Sequence, residues 1–344
     1  MKINPHRTPD FGQLARVLQG KKSDRPVLFD FIIGQKKEQL LTGSSAAATD
    51  EAERVKSNFA AFENAGYDHA SIVVRGLEFV RNGHGNANAV TKSLNEGTVI
   101  SDRQSFDSYH WPEISDCDFS IISKTGGFLH KGVKMIPFSL DGILENTVGI
   151  LGYENLCYLL YDDMQLVSDV FWNVGSRIEQ YYLKCLEFDE VGAVLCNDDW
   201  GFNSQTMLPP ALLRKHVFPW YKRIVQAAHD RGKYAILHSC GYYDDIIDDI
   251  IQDMRFDGKH SYEDKIRPVE KAYEKLCGKI AVLGGIDVDF LARSSPEQIY
   301  ERCINLLRQT QMRGYALGSG NSIPDYVPDE NYLAMLEAAN ETRK

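Results

Sequence analysis

The stretch from Ala235 to Gly241, "AILHSCG", ends an apolar run with a histidine and a cysteine one residue apart. Side chains at i and i+2 of an extended chain leave the same face, so His238 and Cys240 project together, roughly 6.5 Å apart along the strand. One small cation can join them. Among abundant metals an imidazole and a thiolate suit zinc, at about 2.0 to 2.3 Å from each donor. A catalytic zinc needs a third protein donor and an open position, which the pair alone does not supply. The competing reading is a small buried thiol beside a hydrogen-bonded core histidine.

Other residues share this character. "CNDDWG" sets Asp198 and Asp199 just past a buried run, on opposite faces if extended. One can then face a cavity as a base or ligand support while the other caps the following turn. Asp198 is taken as the cavity residue; a plain strand-to-helix loop turning at Gly201 is the alternative. In "GKHSYED", His260 closes a run, with Glu263 and Asp264 beyond it, and these complete a site or form a solvated loop. In "GGIDVD", Asp287 and Asp289 share a face behind Gly284 and Gly285, which allow close backbone approach. "GSGNS", with Ser319 and Asn321, invites a phosphate-loop reading but lacks the lysine and the full glycine spacing of one.

Positioning these residues falls to a repeated rhythm. Eight short apolar runs stand at 26–33, 69–74, 132–140, 191–197, 233–240, 255–260, 279–286 and 314–320. Between them lie amphipathic helical patterns, such as the one opened by Ser295 as N-cap and Pro296 in the first turn. Near-continuous apolar strands alternating with helices read as a parallel sheet buried on both faces. Eight such units predict an α/β chain folded as a (β/α)8 TIM barrel, with a doubly wound open sheet as the fallback. Residues 1–344 are read as one domain. Its surplus length falls at 76–131, between strands two and three, as an insertion over the barrel mouth that includes a hairpin.

Active sites of this fold form at the C-terminal ends of the strands. Those ends carry Arg75, Asp141, Asn197, Asp198, Asp199, His238, Cys240, His260, Asp287, Asp289, Ser319 and Asn321. Stability alone does not ask for that collection.

Composition narrows the function. Of 344 residues 43% are hydrophobic and 25% charged, the balance of a folded globular chain. A formal charge of -10 without a basic cluster argues against binding nucleic acid or an anionic membrane. No apolar stretch approaches bilayer length and "MKINPHRTPDF" has no signal-like apolar segment, so the cytoplasm is the expected compartment. The seven cysteines are scattered without framework spacing, as reduced thiols are.

Three stretches carry a family resemblance: "NDDWGFNSQTMLPPALLRKHVFPWYKRIVQAAHDRGKYAILHSCG", "LGGIDVDFLARSSPEQIYERCINLL" and "GYALGSGNSIPDYVPDENYLAMLEA". Through them the chain resembles the uroporphyrinogen decarboxylase superfamily, and specifically its methyltransferase branch, which includes coenzyme M methyltransferases. In that branch a His-x-Cys on strand five binds zinc with a further cysteine after strand eight, for methyl transfer with a corrinoid protein. His238 and Cys240 match the motif as metal ligands. The loop after strand eight has no cysteine, offering Ser319 or Asn321, so the third donor is sought among His260, Glu263 and Asp198. Asp287, Ser319 and Asn321 are expected to line the cofactor side of the cavity. The arginines that decarboxylases carry after strand one are missing from "FDFIIGQKKEQ".

The resemblance thus implies a zinc-assisted methyltransferase acting on a small methylated, for example methoxylated, substrate. The corrinoid would arrive on a separate protein. Two alternatives stand beside it: a cofactor-free decarboxylase or lyase of the same superfamily, and a non-catalytic barrel that binds a small ligand.

Overall fold

A computed structural model describes residues 2–44, 50–81, 94, 95 and 97–340. Its strands are β1 (His69–Ile72), β2 (Lys134–Pro137), β3 (Ala193–Asn197), β4 (Tyr234–His238), β5 (Gly258–His260), β6 (Ala281–Leu283) and β7 (Tyr315–Ala316). β1 pairs with β2, β3 to β7 pair in sequence order, and every ladder is parallel. Parallel bridges Met135↔Val191 and Phe138↔Leu195 join β2 to the β3 segment. The remaining stave is the run at 26–33, which meets the last one through the parallel bridges Leu28↔Leu317 and Ile33↔Ile323. The result is the expected (β/α)8 barrel architecture.

Period-two alternation decides which side chains enter the barrel. Ala193 and Leu195 join an inner cluster with Phe29, Phe31, Ile136, Phe138, Ile236 and Leu283, whereas Val194, Cys196, Ala235 and Leu237 pack outward under the helices. The bottom is plugged by a helix, Phe11–Leu18, capped by Asp10, which sends Leu14, Val17 and Leu18 into the same inner cluster. The inward series 234, 236, 238 then continues to Cys240.

One seam is different. Among the described residues no backbone ladder bond joins residues 27–33 to β1. The ring of His69 spans the gap instead, with Nε2 2.9 Å from the Asp30 carbonyl oxygen and the ring stacked on Phe29 at 5.1 Å.

Within 76–131 the expected hairpin gives way to helix. The described residues there form helices Arg103–Ser108 and Ser120–Gly126 with a 3-10 turn, Ile114–Asp116, and no strand. The cause is local: Asp102 accepts from the Ser105 N–H while Ser105 Oγ accepts from the Asp102 N–H, a reciprocal cap that starts a helix. Residues 82–93 and 96 of that segment lie outside the described set. No helix among the described residues is long and apolar enough to cross a membrane.

Candidate metal centre

β3 and β4 are in register with Asn197 opposite His238. Two residues further on, Asp199 therefore lies opposite Cys240, and Asp199 Oδ1 accepts the Cys240 N–H at 2.7 Å. Asp199, His238 and Cys240 each offer a donor atom lying within 4.8 Å of the other two. Cys240 Sγ stands 3.6 Å from His238 Nε2.

The protonation of His238 is set by a chain of partners. His260 Nε2 lies 3.0 Å from the Ser319 carbonyl oxygen, which only accepts, so that nitrogen carries the proton. His260 Nδ1 is then an acceptor and receives the N–H of His238 Nδ1 at 2.7 Å. His238 Nε2 is left with a lone pair on the side of the sulfur. The chain is anchored further by Asp30, which accepts from the Ser319 N–H at 3.0 Å, from the Ser319 hydroxyl and from the Tyr67 hydroxyl.

Burial holds both imidazoles neutral, His260 down to about 3 and His238 well below the usual range, with the Lys259 charge adding to each. Burial, and then the Asp199 charge, push the Cys240 thiol up. A thiolate at this position is thus disfavoured until a cation compensates it. Asn321 Nδ2 donates to the sulfur at 3.3 Å, and its Oδ1 is taken by the Ser322 N–H at 2.8 Å.

The other expected residues fall in different places. Asp198 is fully buried and accepts from the N–H groups of Leu144 and Glu145, each at 3.0 Å, from Trp200 Nε1 at 2.8 Å and from the Tyr221 hydroxyl at 3.0 Å. Both of its oxygens serve the helix start at 143 or the two aromatic rings, and burial raises its carboxyl to about 7. Asp287 caps the helix Val288–Arg293 and accepts the Asp264 N–H at 2.8 Å. Asp289 pairs with Arg293. Glu263 is half-buried and lines a small recess with Gly241 and Ser261. His260 and Ser319 sit behind His238 as supports, with both ring nitrogens of His260 occupied by protein groups.

Lys259 was not singled out by sequence. It points outward from β5 beneath two tyrosines, with Nζ 4.3 Å above the Tyr243 ring and 4.7 Å above that of Tyr262. It donates to the carbonyls of Ser239 at 3.2 Å and Ser261 at 2.9 Å. Those bonds pin the β4 and β5 ends that carry the sulfur and its neighbour.

A model of the family described as uroporphyrinogen decarboxylase (URO-D) matches residues 132–342. The chain belongs to the uroporphyrinogen decarboxylase family. No curated protein matches it. Among solved structures it is similar to a methyltransferase from Methanosarcina mazei, with a TM-score of 0.71 and 17% identity over 96% of this chain and 98% of that one. A provisionally assigned vitamin-B12-independent methionine synthase from Listeria monocytogenes gives a TM-score of 0.45 and 12% identity over 93% and 100%. At 17% identity the likeness to the Methanosarcina mazei protein speaks for the shared fold. What this family member does is argued from its own site.

Proposed function

We propose that this uroporphyrinogen decarboxylase family member is a methyltransferase that moves a methyl group between a small methylated substrate and a corrinoid carried on a separate protein. The observation that supports this most is the convergence of Asp199, His238 and Cys240 at the mouth of the barrel, with the His238 Nε2 lone pair facing the sulfur. One sulfur, one imidazole nitrogen and one carboxylate oxygen form a three-donor set that fits zinc and leaves a fourth position for substrate. When bound, zinc supplies Lewis acidity to the heteroatom that bears the methyl group.

The chain's own residues hold this arrangement. His260 keeps His238 in the tautomer that can bind a cation, and Asn321 donates to the sulfur. A thiolate and a carboxylate together balance a divalent charge, where an Asn321 amide in place of Asp199 would leave the site cationic. In the demethylating direction the bond from the methyl carbon to its heteroatom breaks, the heteroatom keeps the electron pair and takes up a proton, and the reduced cobalt of the corrinoid supplies the electron pair of the new bond to the methyl group.

Protein purified without added metal is expected to hold about one equivalent of zinc, lost in Cys240→Ser and His238→Ala. It is expected to methylate reduced cobalamin from at least one member of a panel of methoxy compounds and methylamines. Zinc near zero and unchanged in Cys240→Ser would favour the cofactor-free lyase. Absence of transfer with a ligand-induced rise in melting temperature would favour the binding barrel.

A further inference from the structure

A cavity of about 670 Å³ opens at the seam where residues 27–33 meet β1 without a ladder, walled by Phe31, Ile33, Ser71, Ile72, Arg75 and Phe138 among others. These residues belong to the C-terminal ends of the first three staves, the end of the barrel that also carries the metal centre. The two sites share a wall: the Phe31 ring lies 4.3 Å from the His238 ring and 5.3 Å from that of Phe138, centroid to centroid.

Two polar groups in this wall are unspent. Ser71 is 5% exposed, and its Oγ, on the inward series of β1, has no hydrogen-bond partner among the described residues. A buried hydroxyl without a partner is costly unless something else satisfies it. Four residues along, Arg75 lines the same cavity and makes no hydrogen bond or ion pair among the described residues. Arg54, also in the cavity, is by contrast occupied by Glu51 at 2.9 Å. The acids of the cavity are on its helical side: Glu38 accepts from Asn58 at 2.8 Å, and burial raises its carboxyl. In a chain of net charge -10, an exposed guanidinium and a buried hydroxyl that line one cavity of mixed polar and apolar character, neither with a partner among the described residues, are groups that a ligand can use.

We infer that this cavity binds a small carboxylate, with the Arg75 guanidinium pairing its two oxygens and the Ser71 hydroxyl donating to one of them. The inference deepens the methyltransferase reading and rests on it for the role of the ligand: the methyl donor is a carboxylic acid, its carboxylate at Arg75 and its body against Phe31 and Phe138. Such a pose sets the acid in the seam and its methyl-bearing end toward the side of the shared Phe31 wall.

The test reads binding and transfer separately. 4-Methoxybenzoate and its uncharged counterpart 4-methoxytoluene are titrated calorimetrically into wild type, Arg75→Gln and Ser71→Ala. The acid is expected to bind wild type, to weaken at least tenfold in Arg75→Gln and severalfold in Ser71→Ala, and to outcompete the uncharged compound. Restoration of binding in Arg75→Lys, even in part, would support a charge role over a packing one. If acid and uncharged compound bind equally, or Arg75→Gln leaves the acid's affinity unchanged, the carboxylate site is wrong. Failure of methyl transfer with intact, Arg75-dependent binding would instead sink the methyltransferase reading alone.

Discussion

His238 and His260 face each other Nδ1 to Nδ1 at 2.7 Å, both held neutral by burial, so that one nitrogen donates and the other accepts. Because the Ser319 carbonyl claims the proton of His260 Nε2, only one tautomer of the pair is allowed. The lone pair of His238 Nε2 is therefore fixed before any cation arrives.

His260→Ala removes the acceptor for His238 Nδ1–H and frees the ring to turn or change tautomer. Metal affinity is expected to fall about 10- to 100-fold, the range typical of lost supports behind a ligating histidine. Chelator competition measures it, and cobalt substitution would show an altered visible spectrum. His260→Gln, which can present a carbonyl oxygen to the same N–H, should recover part of the loss. An unchanged affinity in His260→Ala would rule out the supporting role.

The two neighbouring aspartates should separate cleanly. Asp198→Ala strands two helix N–H groups, an indole and a phenol, so it is expected to cost about 3 kcal/mol of stability or more. Asp199→Asn keeps an oxygen for the Cys240 N–H and should cost little stability while lowering zinc content. Denaturant unfolding and metal analysis on the two variants decide it. The reverse pattern, a folded metal-poor Asp198 variant beside a metal-replete Asp199 one, would move the site to Asp198.

How far the sequence reached can be traced through these same residues. Alternation along 234, 236 and 238 was enough to aim His238 and Cys240 inward, and the eight apolar runs each hold a strand or a pair of parallel bridges. Whether Asp198 or Asp199 joins them depends on the offset between β3 and β4, with Asn197 opposite His238, and on donors supplied from Leu144 and Tyr221. Neither is written in one strand's pattern. Asp30 lay hidden for a related reason: inside "PVLFDFII" it reads as an interruption of a core strand, and its purpose comes from Ser319, 289 residues away. Among the described residues of 76–131 helix stands where a hairpin was expected, because a short-range cap at Asp102 and Ser105 starts one. Arg75 was visible as a polar strand end, but its lack of a partner is a property of the fold.

The seam carries its own pH signature. His69 bridges residues 27–33 and β1, and burial lowers it from 6.5 to about 4. In the unfolded chain the ring takes up a proton as pH falls below 6.5, whereas the folded protein keeps it neutral down to about 4. Its share of stability is therefore complete above 6.5 and is lost as pH falls through that window. Asp30, raised to about 7 by burial, acts in the opposite sense, gaining stability as pH falls through its own window. The contribution of His69 is accordingly read as a difference: His69→Gln should take up about one proton fewer per molecule on unfolding between pH 6.5 and 4 than wild type. Equal pH slopes for the two proteins would show that His69 is not the neutral bridge.

Gly241, the residue that closes "AILHSCG", tests the geometry of the centre from the backbone side. It has φ of +82°, and a Cβ there would lie 2.0 Å from the Gly201 carbonyl oxygen. Gly201 is two residues past Asp199, and Gly241 follows Cys240, so any side chain at 241 must push the two donor-bearing loops apart. Gly278 supplies a matched control, with φ of +77° and nothing within 4 Å of an added Cβ. Both substitutions with alanine carry the left-handed backbone cost, about 1–2 kcal/mol. Gly241→Ala alone adds the contact, so it should lose more stability than Gly278→Ala and also bind zinc more weakly, with Gly278→Ala keeping the wild-type zinc affinity. If the two variants lose stability equally and both keep that affinity, the close packing of the β3 and β4 loops is not what holds Asp199 against Cys240.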